Sequence, residues 1–200
     1  MNRTQLGFGG AAVGIRPAGP GDQDTIRDFL DGLSVQTRYL RFFAGFSPTS
    51  SAMLRILTGG SGDVLIAVAG GVVIGHAMAA YVPGPDGPDG PDGPDGPRPV
   101  AHIGVMVADA WQDQGVGSAL MSALTDTVRA HGASALVMDV LRQNNRVIAM
   151  IAEHWPGARY DPVAESVTIS APLDAPVPPY RAAGAAAGAD LPAALAGLVG

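Results

Sequence analysis

With 200 residues and 20.2 kDa, the chain has the length of one ordinary domain, or one domain with a tail. Hydrophobic residues make up 47% and charged residues 15%, so it can bury a sizeable core, and a wholly disordered chain is excluded. The formal net charge is −6, but Asp86, Asp89, Asp92 and Asp95 all belong to one repeated segment. The remainder is nearly balanced and offers no field for gripping nucleic acid. Cysteine is absent, which removes disulfides, zinc-thiolate sites and cysteine nucleophiles. No apolar run approaches the roughly 18 residues of a membrane span, and the amino terminus lacks a basic segment followed by an apolar core. The expectation is a cytoplasmic protein without a membrane partner.

In chain order, Val13 to Pro17 is a short β-type run, and Pro20-Gly21-Asp22 supplies a turn with Asp22 as a helix N-cap. Ile26, Phe29, Leu30 and Leu33 then recur at helical spacing. Ser34 caps a second helix carrying Tyr39, Leu40, Phe42 and Phe43, and Thr49 to Leu57 is a third, ended by Gly59-Gly60. Val64–Ala69 and Val72–Val82 are β-rich around Gly70-Gly71, a dipeptide suited to a tight hairpin. Gly84 to Gly96 repeats Pro-Asp-Gly and reads as a loop inserted between two strands. Val100–Val107 is a strand, Gly115–His131 a helix stopped by Gly132, Leu136–Leu141 a strand, Asn144–His154 a helix and Ser166–Ala171 a last strand. The expected organisation is an amino-terminal extension at 1–12, an α/β domain with a mixed sheet at 13–172 carrying the repeat loop at 83–99, and an Ala/Pro/Gly-rich tail at 173–200.

The most informative stretch is Val105-Met106-Val107, a strand end, followed by Gln112-Asp113-Gln114-Gly115-Val116-Gly117-Ser118 at a helix start. A strand that turns through glycines into a helix aims backbone N–H groups and the positive helix end at one point, which suits a pyrophosphate. An ordinary strand-to-helix turn with two glycines is the alternative. The dinucleotide fingerprint is excluded because its third glycine would fall at Leu120, and a phosphate-binding Gly-Lys-Ser/Thr loop is excluded because all twelve basic residues are arginine.

Gln112, Gly115 and Gly117 after a Val-x-Val strand resemble motif A of the GCN5-related N-acetyltransferases. Asn144, leaving the next strand for a helix, resembles the Asn of that family, although such an Asn is also an ordinary N-cap. Leu33 to Phe43 resembles the helical segment of the bacterial Pat-type protein lysine acetyltransferases. The resemblance covers about Ile15 to Ala171. It implies a mixed, mostly antiparallel sheet flanked by helices, with coenzyme A between splayed strands, and direct acetyl transfer from acetyl-CoA to an amine. It places the coenzyme on Val105, Met106, Val107, Gln112, Asp113, Gln114, Gly115, Val116, Gly117 and Ser118, with Asn144 near the pantetheine arm. A backbone N–H near Val105 to Val107, with Val107 foremost, would polarise the thioester carbonyl.

Pat-type proteins commonly carry Glu on the strand before motif A, where this chain has His102. An imidazole of ordinary pKa near 6.5 can serve as a general base, and a bystander histidine is the alternative. His76 is a further candidate for the acceptor cleft, weighed against an ordinary strand histidine. The implied acceptor is a protein lysine. A small amine or amino acid, and an acyl-CoA sensor without catalysis, are the competing readings. No metal is expected, since the four histidines show no ligand spacing. The oligomeric state expected is a monomer or homodimer.

Overall fold

The computed structural model describes residues 4–8, 11–43, 50–60, 62–84 and 98–174. The Pro-Asp-Gly repeat proper and nearly all of the carboxy-terminal tail lie outside the described residues. The elements are β1 (Thr4–Phe8), β2 (Ala11–Pro17), α1 (Gln23–Asp31), α2 (Val35–Phe42), α3 (Ser51–Leu57), β3 (Asp63–Ala69), β4 (Val72–Val82), β5 (Val100–Val107), α4 (Val116–Ala130), β6 (Ala135–Leu141), α5 (Asn145–His154), β7 (Arg159–Val163) and β8 (Ser166–Pro172), with short 3-10 turns at Pro20–Asp22 and Asp109–Trp111. No helix among the described residues is long and apolar enough to cross a membrane. The described residues fall into two compact units, one holding those up to Ala80 with Gly104–Asp126, the other holding those of Tyr81–Ile103 with 127–174.

In the first unit the strands neighbour one another in chain order, β1 to β5. β1, β2, β3 and β4 pair antiparallel in succession. Gly70 and Gly71 both adopt positive φ, 56° and 84°, which is the backbone a two-residue hairpin needs to follow the strand twist. α1 presents Ile26, Phe29 and Leu30 on one stripe, and these join Leu33, Leu54, Leu57, Ile66, Val73 and Met106 in a single buried cluster. Each such side chain removed from water contributes about 1.5–3 kcal/mol. The carboxylate of Asp22, at the start of α1, accepts from both Nη1 and Nη2 of Arg16 on β2, at 2.8 and 2.6 Å, and from the Gly19 N–H at 2.8 Å. These bonds, the one from Arg16 first, hold the Asp22 carboxyl below its ordinary pKa and pin the start of the helix to the end of β2.

In the second unit the strand order is β5, β6, β8, β7. β5 and β6 run parallel through three residue pairs, Val100↔Ala135 to His102↔Val137. β6 and β8 pair antiparallel along their full length, and β7 closes onto β8 through a turn in which Ala164 takes φ 50°. Gly132, at φ 74°, ends α4. α5 buries Ile148, Ile151 and His154.

Three elements differ from the sequence expectations. The segment read as an amino-terminal extension carries β1, whose five residues register with β2 from Thr4↔Ile15 to Phe8↔Ala11. So short a strand has no signal of its own and is defined by its partner. β7 was not anticipated, because it is largely exposed and contains Pro162, features of an edge strand. α1 ends at Asp31, with Leu33 reaching the core from the turn beyond it.

Candidate functional site

The loop from Val107 into α4 lies wholly within the first unit. After a 3-10 turn at Asp109–Trp111, Asp113 takes φ 61° and Gly115 φ 89°, so the chain reverses sharply and delivers α4 from Val116. The first helical bond of this turn runs from the Ala119 N–H to the Gly115 carbonyl, 3.0 Å. The N–H groups of Val116, Gly117 and Ser118 therefore precede the intrahelical ladder and point out of the helix end. No acidic residue stands in the first turn of α4. Gly115 is required by its backbone angle. Gly117 is not: a Cβ there would meet nothing closer than Cγ2 of Val107 at 3.5 Å, an ordinary contact. Neither its backbone nor its packing therefore demands glycine at 117, which leaves the helix end bare on that side. Val116 is buried, Ser118 half-buried, and Asp113 and Gln114 are exposed, with Gln114 Nε2 donating to the Ala110 carbonyl at 2.7 Å.

This loop is braced from α2. Ser34 caps α2 by accepting from the Thr37 N–H at 3.1 Å. Asp109 in turn accepts from the Ser34 N–H, the Ser34 hydroxyl and the Thr37 hydroxyl at 2.9, 2.7 and 2.8 Å. The Ser34 bonds, hydroxyl first, keep the Asp109 carboxyl below its ordinary pKa. Gln112 Nε2 donates to Thr37 Oγ1 and to the Val107 carbonyl, both at 3.1 Å. The amide of Gln112 thus ties strand end, loop and α2 together, a positioning task beside the coenzyme contact the sequence implied. Asp109, Ser34 and Thr37 were missed as a set because Asp109 stands 72 positions from Thr37 and 75 from Ser34 in the chain.

The end of β5 has a defined polarity. The Ala108 N–H donates to the Ile74 carbonyl on β4, 2.9 Å away. Peptide groups alternate along an extended chain, so the N–H groups of Val107 and Val105 face away from β4. The Val107 carbonyl, receiving Gln112, faces the same way. Met106 is buried in the core cluster, while Val105 and Val107 are half-buried.

His102 is exposed on β5. Asn144 occupies the N-cap of α5, accepting from the Val147 N–H at 3.4 Å. His76 is no cleft residue: it is fully buried, and its Nε2–H donates to the Leu57 carbonyl at 2.8 Å. Burial first, and the nearby charge of Arg41, lower its pKa to about 4, so it is a neutral core histidine. No group of His, Asp and Glu suited to hold a metal ion occurs among the described residues.

Residues 29–154 match the model of the Acetyltransferase (GNAT) family. No protein among the curated ones matches closely enough to count as a relative. Among solved structures, the GNAT domain of S. lividans PAT superposes with a TM-score of 0.70 at 22% identity, over 86% of this chain and 97% of that one. YncA from Salmonella typhimurium, a putative acetyltransferase solved with acetyl-CoA, gives 0.57 at 20% identity, over 84% and 97%. The ribosomal-protein-S18-alanine N-acetyltransferase of Escherichia coli gives 0.57 at 16% identity, over 80% and 94%. At these identities the likeness is one of fold, a mixed and mostly antiparallel sheet flanked by helices. The family match spans well over half of the sequence and includes the whole glycine loop: the chain belongs to the Acetyltransferase (GNAT) family.

Proposed function

We propose that the protein is an acetyl-CoA-dependent N-acetyltransferase that moves acetyl directly to an amine, with a protein lysine as favoured acceptor. The observation that carries this reading is the end of α4, where Gly115 and Gly117 leave the N–H groups of Val116, Gly117 and Ser118 open to an anion. These groups hold the pyrophosphate of the co-substrate, within the loop from Gln112 to Ser118. Asn144 lies near the pantetheine arm. The N–H of Val107 or Val105, facing away from β4, donates to the thioester oxygen as negative charge develops there, an arm of an oxyanion hole. His102, exposed to solvent, takes the proton that an ammonium of ordinary pKa near 10.4 must lose before its nitrogen can attack. The nitrogen bonds to the carbonyl carbon, the C–S bond breaks with its electron pair leaving on sulfur, and the nitrogen releases its second proton, which neutralises the departing thiolate through solvent.

The lysine preference rests on the likeness of Leu33 to Phe43 to Pat-type proteins and on the fold shared with the S. lividans PAT domain. Calorimetry with acetyl-CoA, followed in the same preparation by coenzyme A release with lysine-bearing proteins and with small amines, tests the reading. Binding with amine-dependent release supports it, and the productive amine names the acceptor. Absence of acetyl-CoA binding overturns it.

A further inference from the structure

Arg41, on α2, is a half-buried cation with no anionic partner among the described residues. Its Nε is buried with no hydrogen-bond partner among the described residues. Among the described residues, Nη2 donates to the thioether Sδ of Met78, at 3.4 Å, a weak acceptor. The guanidinium also sits 5.2 Å from the ring of Phe42. No carboxylate is paired with it among the described residues. Burial pushes its pKa down, and His76, which feels its charge, is neutral and supplies no counter-charge. A guanidinium stays charged in a protein, and a desolvated charge without a counter-ion is unfavourable.

The position of this cation is specific. A Cβ on Gly104 would overlap Nε, Cζ and Nη2 of Arg41. Gly104 therefore lets the guanidinium rest against the backbone of β5, immediately before Val105. Val107 lies three residues, about 10 Å, further along the strand, and the pyrophosphate loop begins beyond it. The anion that Arg41 lacks is thus separate from the pyrophosphate and stands toward the reacting end of the co-substrate. A bare cation there repels an incoming ammonium, unless the acceptor brings its own negative charge.

We propose that Arg41 binds a carboxylate carried by the acceptor, so that the substrate class is an amine bearing a nearby carboxylate. The planar fork of guanidinium donors matches the two oxygens of a carboxylate. Two sources share this chemistry: the α-carboxylate of a free amino acid, and an acidic side chain next to the target lysine of a protein. The inference rests on the acetyltransferase reading above, and it selects among acceptors.

The test compares kcat/KM, with acetyl-CoA as donor, for each standard α-amino acid against its carboxamide, and for a lysine pentapeptide with Glu beside the lysine against the same peptide with Gln. It is run on the wild type, Arg41→Gln and Arg41→Lys. The wild type is expected to favour the carboxylate member of one pair type by at least about tenfold, a free amino acid or an acidic peptide according to the source. Arg41→Gln is expected to bring that ratio within twofold, and Arg41→Lys, which keeps the charge without the fork, to leave it intermediate. Acetyl-CoA affinity within twofold of wild type shows that each variant is folded. No preference in the wild type, or a preference that survives Arg41→Gln, overturns the inference while leaving the acetyltransferase intact. Failure of the wild type to bind acetyl-CoA overturns the underlying reading instead. Succinyl-CoA serves as the last arm: a wild-type preference for it over acetyl-CoA that Arg41→Gln abolishes places the carboxylate on the acyl chain and overturns its assignment to the acceptor.

Discussion

The Nε2–H of His76 on β4 donates to the Leu57 carbonyl at the end of α3, 2.8 Å away, and so joins the third helix to the sheet through one buried imidazole. Its pKa falls from 6.5 to about 4, while the unfolded chain keeps the ordinary value. Between those limits the unfolded state binds more protons, so stability rises with pH across this window and is lost on acidification. The contribution approaches about 3 kcal/mol, at 1.36 kcal/mol per unit. Urea titrations at pH 7 and pH 4.5 should show this loss in the wild type, and His76→Asn should flatten it. An equal pH slope in both proteins contradicts the assignment.

Gly115 and Gly117 should respond differently to the same substitution. Gly115→Ala forces a Cβ into a backbone at φ 89°, costing about 1 kcal/mol or more of stability. Gly117→Ala meets only an ordinary contact, so its melting temperature should stay near wild type while acetyl-CoA affinity drops at least about tenfold, 1.4 kcal/mol. Thermal melts beside calorimetry separate the two effects, and full affinity in Gly117→Ala would remove the helix end from the site.

Ser34→Ala removes both the cap of α2 and one bond to Asp109. Loss of an N-cap costs about 1 kcal/mol, and the brace that reaches Gln112 through Thr37 loosens with it. Lower stability together with weaker acetyl-CoA binding is expected. Weaker stability with unchanged affinity would confine this network to the fold.

His102→Ala should lower kcat by about 100-fold or more, the usual contribution of a general base, with the Kd for acetyl-CoA unchanged. Turnover equal to wild type returns His102 to the role of a bystander.

Much of the candidate loop was legible in the sequence because its requirements are local. A β-rich run to Val107, a glycine at the left-handed position 115, a bare residue at 117 and an Ala/Leu helix each follow from a few neighbouring residues. The Gly70-Gly71 hairpin and the N-cap residues Ser34 and Asn144 were readable for the same reason. β1 and β7 were not, since a five-residue strand acquires its hydrogen bonds and register only from β2 or β8.

Sequence alone thus determined the glycine loop and the helix it opens, because backbone angles and helix ends are set within one turn of chain. Tertiary structure decided what surrounds that loop. Ser34 reaches Asp109 across 75 positions, and α3 covers His76, turning a cleft candidate into a neutral core residue. Arg41 comes to lie on Gly104. The physical reason is that burial and unpaired charge are properties of the packed neighbourhood, and no spacing along a strand or helix encodes them.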